Sequence, residues 1–383
     1  MAQKKTQTKE INNSFDFILF ITVLLLLALG IIMVLSASSP SALATTGSSY
    51  TYVLKQLLSA AIGIVAMLVL SKIDYRTYSK FYKIAYIGAI GVLLLVLVPG
   101  LGRTVNGARR WINLPIVSSF QPSELTKIGL IVFFAFYLTK HKDELRNLLK
   151  GFFKPLLILA PVILVLLGVQ SHFSASVIII LVVSVMMIVA GTRTAHFLSF
   201  GAVGATAGIG LMYVLAKYFG IGGFRLTRIT AFLNPWADAQ DSGWQIIQSL
   251  YAIGSGGLFG VGLGDSKQKY LYISEPHNDF IFAVLAEELG FIGCLAVILL
   301  FAVFIWRGII IAMKAPDMFG SLLATGITAL IGLQAMINIA VVTSSMPVTG
   351  MALPFFSYGG TSLIILLCAV GVLLNISRQS QKI

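Results

Sequence analysis

Ten apolar segments divide the sequence, and their lengths constrain the fold more than any other feature. They lie at about 16–36, 53–72, 81–99, 122–139, 154–169, 174–191, 196–217, 279–306, 318–342 and 360–377. A helix needs roughly 20 mainly apolar residues to cross the hydrocarbon core of a bilayer. Long unalternating runs favour helices over strands, because lipid offers backbone groups no hydrogen-bond partner. We predict an all-α polytopic membrane protein with about ten transmembrane helices, built as a single domain over residues 1–383.

The composition agrees with a membrane protein. Only 11% of the 383 residues are charged and 57% are hydrophobic, whereas soluble domains carry about 25% charged residues. The net charge of +13 would suggest a nucleic-acid partner in a soluble protein. In a membrane protein it mainly records loop orientation, so we expect no nucleic acid. Two cysteines in apolar runs form neither a disulfide framework nor a metal spacing.

The distribution of basic residues predicts the orientation. With the N-terminus in the cytoplasm, most of the 27 Lys and Arg residues fall in inner loops, which is the usual bias. Both termini are then cytoplasmic, and residues 1–15 form an inner tail. The first apolar run is too long for the apolar core of a signal peptide, so we expect it to be retained as a span.

Seven basic residues fall in outer loops. The excess of Lys and Arg in cytoplasmic loops does not account for them. Either they meet anionic head groups and nearby acids, or they bind an anionic ligand such as a phosphate or pyrophosphate. These residues are Arg103, Arg109, Arg110, Arg225, Arg228, Lys267 and Lys269.

Two outer loops have the composition of ordered segments. The long extracytoplasmic loop 218–278, between spans 7 and 8, is rich in glycine, aromatic and aliphatic residues. Its pattern predicts an amphipathic helix near 244–253. The loop 343–359, "TSSMPVTGMALPFFSYG", has prolines and glycines that favour a re-entrant or cavity-lining segment.

Charged residues within spans are candidates for function. Glu124 and Lys127 are spaced i, i+3 and share a helix face, so they form either a structural pair or part of a polar cavity in the outer half. Glu287 and Glu288 lie inside the eighth span. We expect one of them to be buried and the other to lie near the opposite interface or to bond a neighbouring helix, and neither to be catalytic.

The strongest catalytic candidate is Asp279, in "EPHNDF" at the outer start of the eighth span. Pro276 restricts Glu275 to extended geometry, and Asn278 or Asp279 can cap the helix. A capping role does not account for the basic residues in the outer loops. A carboxylate at a water-poor cavity entrance beside cations is suited to act as a general base. His277 is expected to hydrogen-bond within the loop, and no zinc site is predicted.

Together these residues predict an outward-facing cavity suited to transfer from a phosphate-linked lipid donor. A pyrophosphate leaving group needs cations rather than an acid to stabilise its developing charge. One Asp base would therefore suffice, unlike glycoside hydrolases that use two carboxylates.

Several motifs carry a family resemblance that extends over nearly the whole chain. They are "VNGARRWI" (105–112), "QPSELTK" (121–127), "RITAFLNPWAD" (228–238), "GWQIIQSLYAIGSGGLFGVGLGDSKQK" (243–269), "EPHNDFIFAVLAEELG" (275–290) and "MPVTGMALPFFSYGGTSL" (346–363). The chain resembles the SEDS family (shape, elongation, division and sporulation) of membrane peptidoglycan glycosyltransferases, and most closely its FtsW-like and SpoVE-like branches.

The resemblance implies a substrate and site residues. The substrate would be lipid II, polymerised with inversion into glycan strands, and Asp279 would be the base. Substrate-binding residues would be Arg103, Arg109, Trp111, Glu124, Lys127, Arg228, Lys269, Glu275, His277 and Ser357. Two positions depart from the family pattern: His172 and Ser171 stand in an altered motif, and Asn278 replaces the commoner Thr.

The resemblance also implies partners and a location. We expect the nascent glycan strand, a cognate class B penicillin-binding protein, and the division or sporulation machinery as partners, in the bacterial cytoplasmic membrane with the active site outward. No cofactor is required, although Mg²⁺ or Mn²⁺ would suit the pyrophosphate.

Two rival functions remain open at this point. A lipid II flippase needs polar groups through the full membrane thickness and often shows repeat symmetry, whereas the polar groups here cluster in the outer half. A non-enzymatic scaffold for a penicillin-binding protein would have no need of Asp279.

Overall fold

The structure, a computed structural model, describes residues 15–105, 108–112, 120–219, 231–241, 243–270 and 272–380. Helices account for nearly all of its regular structure. They are α1 (Phe17–Thr46), α2 (Thr51–Leu70), α3 (Arg76–Lys80), α4 (Tyr82–Leu94), α5 (Pro122–Lys140), α6 (Lys154–Gly168), α7 (Phe173–Ala190), α8 (Thr194–Phe219), α9 (Trp244–Gly256), α10 (Ile281–Lys314), α11 (Met318–Val342) and α12 (Gly360–Arg378).

The helices confirm a polytopic membrane architecture. Among the described residues, eight helical segments are long and apolar enough to cross a bilayer, and Tyr82–Leu97 is a shorter apolar segment. Each predicted span overlaps a helix, while the total of ten spans stays a prediction. The predicted amphipathic helix near 244–253 is confirmed as α9. Of the predicted inner tail, residues 1–14 lie outside the described residues.

Helix α1 runs ten residues beyond its predicted end at 36. Its last turns contain Ser and Thr, whose hydroxyls donate to carbonyls one turn earlier, as Thr45 does to Ser41 and Thr46 to Ala42. These local bonds allow polar residues to continue the helix. The helix ends at Gly47, where φ is 73°.

A β-hairpin between α4 and α5 was not predicted. Strands β1 (Gly102–Val105) and β2 (Ala108–Ile112) pair antiparallel, with Arg103 opposite Trp111. The missed signal was the Asn-Gly dipeptide between them, which favours tight hairpin turns. The hairpin holds the predicted cations Arg103 and Arg109 near the start of α5.

Contacts at one end of the bundle show which helix ends lie together there. Arg307, in the last turns of α10, pairs with Asp16 at the start of α1, and the backbone N–H of Asp16 donates to Ser377 near the end of α12. The amide N–H of Tyr75, after α2, donates to Asn375 of α12. The starts of α2, α10 and α12 therefore lie at the opposite end, where Asp279 is found.

Candidate active site at the start of helix α10

The loops 274–280 and 343–359 are joined by hydrogen bonds next to Asp279. The Ser357 hydroxyl donates to the carbonyl of Asn278 (2.7 Å) and accepts from the Leu353 N–H (2.7 Å). The Tyr358 N–H donates to the His277 carbonyl (2.8 Å). The second half of the loop 343–359 is mostly buried and lies against 274–280, whereas Thr343, Ser345 and Met346 are exposed, so the re-entrant or cavity-lining character of the whole loop stays a prediction. Ser357 acts here as a bridge between the loops.

Asp279 is held through its backbone, and its carboxylate lies against Gly350. Its carbonyl accepts a hydrogen bond from Nδ2 of Asn338, and the residue is partly exposed. Oδ2 lies beside Gly350, so close that a Cβ there would be 3.0 Å from it. Gly350 therefore provides the space that the carboxylate occupies, and Asn338 fixes the main chain beneath it.

The turn before Asp279 differs from its predicted form. Glu275 has φ 56°, in the left-handed region rather than the extended one. Asn278 stabilises this turn, because its amide N–H donates to the Glu275 carbonyl (3.0 Å) and its side chain to the Glu275 carboxylate (2.7 Å). The N-cap of α10 is Phe280, so the prediction that Asn278 or Asp279 caps the helix was wrong.

His277 belongs to a cluster of aromatic rings. Its ring centroid lies 4.9 Å from that of Tyr52 and 5.9 Å from that of Tyr358. Burial lowers the pKa of His277, although Glu275, 3.9 Å away, opposes the shift. The predicted hydrogen bond within the loop is made by the His277 carbonyl, whereas the ring is held by aromatic packing and its Nδ1 has no hydrogen-bond partner among the described residues.

Glu124 and Lys127 form the predicted i, i+3 pair. The Lys127 ammonium lies 2.8 Å from Oε1 of Glu124, with side-chain exposures of 4% and 20%. The void beside Lys127 measures only about 10 Å³, roughly the space of one water. Its other lining residues are apolar: Leu130, Ile131, Ile179, Val182, Val183 and Leu330. In this conformation the void is therefore not the polar cavity that the sequence suggested.

The hairpin covers the connection between α6 and α7. Arg110 donates to the carbonyls of Gln170 (3.0 Å) and Ser171 (2.6 Å). Arg109 donates to the Val98 carbonyl (3.1 Å), and Arg103 is exposed. Burial, with the charges of Arg110 and Lys127, lowers the pKa of His172 to about 3. His172 is therefore neutral and lies near both cations.

Lys269, which was predicted to bind phosphate, has buried partners instead. Its ammonium is buried and donates to Glu288, Ser36 and the Gly264 carbonyl. These contacts use the three donors of a lysine ammonium, so Lys269 belongs to the interior rather than to a pyrophosphate site. Arg228 and Arg225 lie outside the described residues.

The predicted residues thus fall into distinct groups. Asp279, Glu275, His277 and Ser357 lie together where the loops 274–280 and 343–359 meet. Glu124 and Lys127 lie on α5, near His172 and beside the hairpin of Arg103, Arg109 and Trp111. Four neighbours of the Asp279 group were not predicted: Tyr52, Asn338, Gly350 and Tyr358. Only Asn338, a polar residue inside an apolar run, gave a signal in the sequence.

Comparisons with known proteins agree with this fold. Residues 16–382 match the model of the cell cycle protein family of FtsW, RodA and SpoVE. The chain is 46% identical over 381 residues to stage V sporulation protein E of Bacillus subtilis (strain 168), with 100% of both chains covered. It is 45% identical over 365 residues to the probable peptidoglycan glycosyltransferase FtsW of Geobacter sp. (strain M18), covering 95% of this chain and 97% of the relative.

Two solved structures have the same architecture. One is a chain of a peptidoglycan synthase complex, with a TM-score of 0.77, 27% identity, and coverage of 95% of this chain and 98% of that one. The other is Thermus thermophilus rod shape determining protein RodA, with a TM-score of 0.68, 28% identity, and coverage of 96% and 98%. The match over almost its entire length makes this chain a member of the FtsW/RodA/SpoVE family.

Proposed function

We propose that the chain is a peptidoglycan glycosyltransferase that polymerises lipid II into glycan strands, for division or sporulation. The observation that carries the proposal is the Asp279 carboxylate, partly exposed beside Gly350 at the start of a buried helix. Relatives named peptidoglycan glycosyltransferase FtsW and stage V sporulation protein E support it.

In this proposal Asp279 is the general base. It accepts the proton of the 4-hydroxyl of GlcNAc in the incoming lipid II. The freed oxygen attacks the anomeric carbon of MurNAc at the end of the growing strand, the bond from that carbon to undecaprenyl pyrophosphate breaks, and the configuration inverts. A positioned base contributes typically 10²- to 10⁴-fold to such a step.

The leaving pyrophosphate needs cations. Arg103 and Arg109 on the hairpin are our candidates among the described residues, and Arg228 is a further candidate outside them. Guanidinium groups bind phosphate oxygens in bidentate fashion, and they stabilise the charge as it develops. Lys127 is buried against Glu124, so it suits an electrostatic role better than direct contact.

A divalent cation, Mg²⁺ or Mn²⁺, would suit the pyrophosphate chemically. Among the described residues, no group of three or more His, Cys, Asp or Glu side chains is arranged to hold a metal ion. The described residues therefore offer no preformed cluster of three or more ligands, and the proposed route contains no step through a metal ion.

The location and partner complete the proposal. We place both termini in the cytoplasm, the loop 218–278 outside, and the Asp279 site at the outer face of the bacterial cytoplasmic membrane. A cognate class B penicillin-binding protein, acting with the division or sporulation machinery, would crosslink the new strands. Support for a crosslinking partner comes from the similar structure, which is described as coordinating polymerization and crosslinking.

Incubation of the purified, detergent-solubilised protein with lipid II tests the proposal. Products are resolved by length, with and without a cognate transpeptidase, against a mock preparation from cells that do not express the chain. Strands from the protein alone indicate an autonomous polymerase, and strands only with the partner indicate activation by it. No strands in either case, with lipid II still bound, would contradict the proposal and favour a flippase or a scaffold.

A further inference from the structure

Helix α10 is interrupted at Gly290, and the outer loop is inserted into the break. Gly290 has φ 66° and ψ −164°. In an intact helix, the carbonyls of residues 287 and 288 would accept from the N–H groups of residues 291 and 292. Here those carbonyls accept instead from Val261 (3.0 Å) and Gly262 (3.2 Å).

The other side of the break is satisfied in the same way. The N–H groups of Phe291 and Ile292 donate to the carbonyls of Gly257 (2.9 Å) and Leu258 (3.2 Å). All four backbone groups released by the break thus find partners in the loop segment 257–262. Such partners are required, because lipid offers an unpaired backbone group no hydrogen-bond partner. The loop segment 257–262 and the helix segment 287–292 therefore form one hydrogen-bonded unit. We name these two segments together the splice.

Glycines make this close approach feasible. A Cβ at Gly256 would lie 2.0 Å from the Ala286 carbonyl oxygen, and one at Gly260 would lie 2.1 Å from that of Glu288. Both distances are far shorter than a van der Waals contact, so any side chain would separate the loop from the helix. The glycine-rich stretch thus has a packing role at the break.

Two buried carboxylates hold the splice in place. Glu288 pairs with Lys269 at 2.9 Å, with side-chain exposures of 0% and 3%, and accepts from the Ser36 hydroxyl of α1 (2.6 Å). Glu287 accepts from the Ser266 hydroxyl (2.5 Å) and from the Lys267 N–H (2.9 Å). The acids in the eighth span therefore bind the outer loop. Of the two expected alternatives, the bond to a neighbouring helix is confirmed, because Glu288 contacts Ser36 of α1, and both acids are buried.

We propose that Lys269 and Glu288 are positioning residues that act through Asp279, an inference that rests on the proposed function. The break separates the segment 281–289 from the rest of α10. This segment is pinned at one end by Asn338, which bonds the Asp279 carbonyl, and at the other by the Lys269–Glu288 pair. Nine residues of mostly helical chain place Glu288 about 13 Å from Asp279. The pair is one of several contacts at the far end, beside Glu287 and the backbone bonds to 257–262, so removing it loosens that end and lets the carboxylate shift.

A purely structural pair and a positioning pair differ in the catalytic rate of a folded variant that lacks the pair. Loss of a structural pair leaves that rate unchanged, whereas loss of a positioning pair lowers it. Removing either charge alone leaves the other charge buried without its partner, which strongly destabilises the fold for either role. The double variant Lys269→Met with Glu288→Gln is neutral, and Gln retains a polar group next to Ser36. It tests positioning in a protein that remains folded. The exposed pair Lys150–Glu144, at 3.4 Å, provides a matched control as Lys150→Met with Glu144→Gln.

We expect the folded double variant to polymerise lipid II with a kcat lowered about 10- to 100-fold and an unchanged KM, because substrate contacts remain while the base is displaced. Amide hydrogen exchange at 257–262 and 291–292 should be faster than in wild type. The control should match wild type in both measurements. A folded double variant with wild-type kcat would overturn the proposal.

The two measurements also separate this inference from the proposed function. If wild-type protein makes no glycan, the proposed function fails and the positioning role fails with it, while the exchange rates still report on the splice. If wild type polymerises and exchange at the splice is unchanged in a slow double variant, the pair acts by another route and the proposal is wrong.

Discussion

The side-chain amide of Asn338 donates hydrogen bonds to the carbonyl oxygens of Asp279 (2.8 Å) and Met351 (2.7 Å). Asn338 lies on α11 and is almost fully buried. One side chain therefore joins α11, the start of α10 and the loop 343–359. The backbone of the candidate base is held by a residue that cannot itself reach solvent, and this makes the site rigid where it must be aligned.

Replacing Asn338 with Leu should impair both stability and activity. The change leaves two carbonyl acceptors without their donor, at about 1–3 kcal/mol for each buried group. We expect a lower melting temperature in detergent and at least a tenfold lower rate of glycan synthesis. Gln334→Leu, one turn earlier on α11, is the matched control. Equal effects from the two variants would show that the Asn338 bonds have no special role.

A methyl group at Gly350 should affect chemistry more than folding. The new Cβ would lie 3.0 Å from Oδ2 of Asp279, so the carboxylate has to move. A displacement of about 1 Å at a reacting group can lower a rate by 10²-fold. We expect Gly350→Ala to reduce kcat strongly at nearly wild-type thermal stability. Gly359→Ala in the same loop, where a Cβ meets only Ser362 at 3.5 Å, should retain activity.

Two glycines of the outer loop test the splice by stability alone. Gly260 and Gly264 both have positive φ, 81° and 93°. A Cβ at Gly260 would collide with the Glu288 carbonyl, whereas one at Gly264 has nothing within 4 Å. Backbone strain is common to both, so the difference between the variants isolates the crowding. Thermal unfolding should show Gly260→Ala less stable than Gly264→Ala by about 1–3 kcal/mol, and similar values would refute the packing.

His172 should make the protein sensitive to mild acid. Its pKa is about 3 in the folded chain and about 6.5 when unfolded. The folded state therefore binds fewer protons, and the stability contributed by the neutral ring is complete above about pH 6.5 and is lost as the pH falls towards 3. At pH 5 the loss is about 2 kcal/mol.

The variant His172→Asn checks this assignment, since Asn is also a good residue at the start of a helix. Between pH 7 and pH 5, the melting temperature of wild type should fall more steeply than that of the variant. Parallel slopes would mean that His172 does not contribute to the acid sensitivity.

The sequence was sufficient to locate the spanning helices, because the bilayer fixes their length and apolar character. It also indicated the Asp279 loop and the Glu124–Lys127 pair, since both depend on residues close together in the chain. Helix ends were less predictable: α1 continues through Ser and Thr, and the hairpin gave only a two-residue signal.

The splice could not be predicted, because it depends on residues brought together by folding. The break at Gly290 requires backbone partners from 257–262, about 30 positions earlier in the chain. The prediction that Lys269 binds a pyrophosphate failed for the same reason. Its partner Glu288 is 19 residues away, and Ser36 comes from α1. Asn338 and Gly350 likewise contact Asp279 only in the folded protein.

Polymerisation of lipid II by purified Asp279→Asn, compared with wild type, tests the central claim most directly. Asn conserves the size of the side chain and removes the proton acceptor. The control is Asp241→Asn, an exposed acid of the loop 218–278. We predict that Asp279→Asn keeps the wild-type melting temperature and lipid II binding but forms glycan at least about 100-fold more slowly, while Asp241→Asn remains active. Glycan synthesis at the wild-type rate by Asp279→Asn would show that Asp279 is not the base.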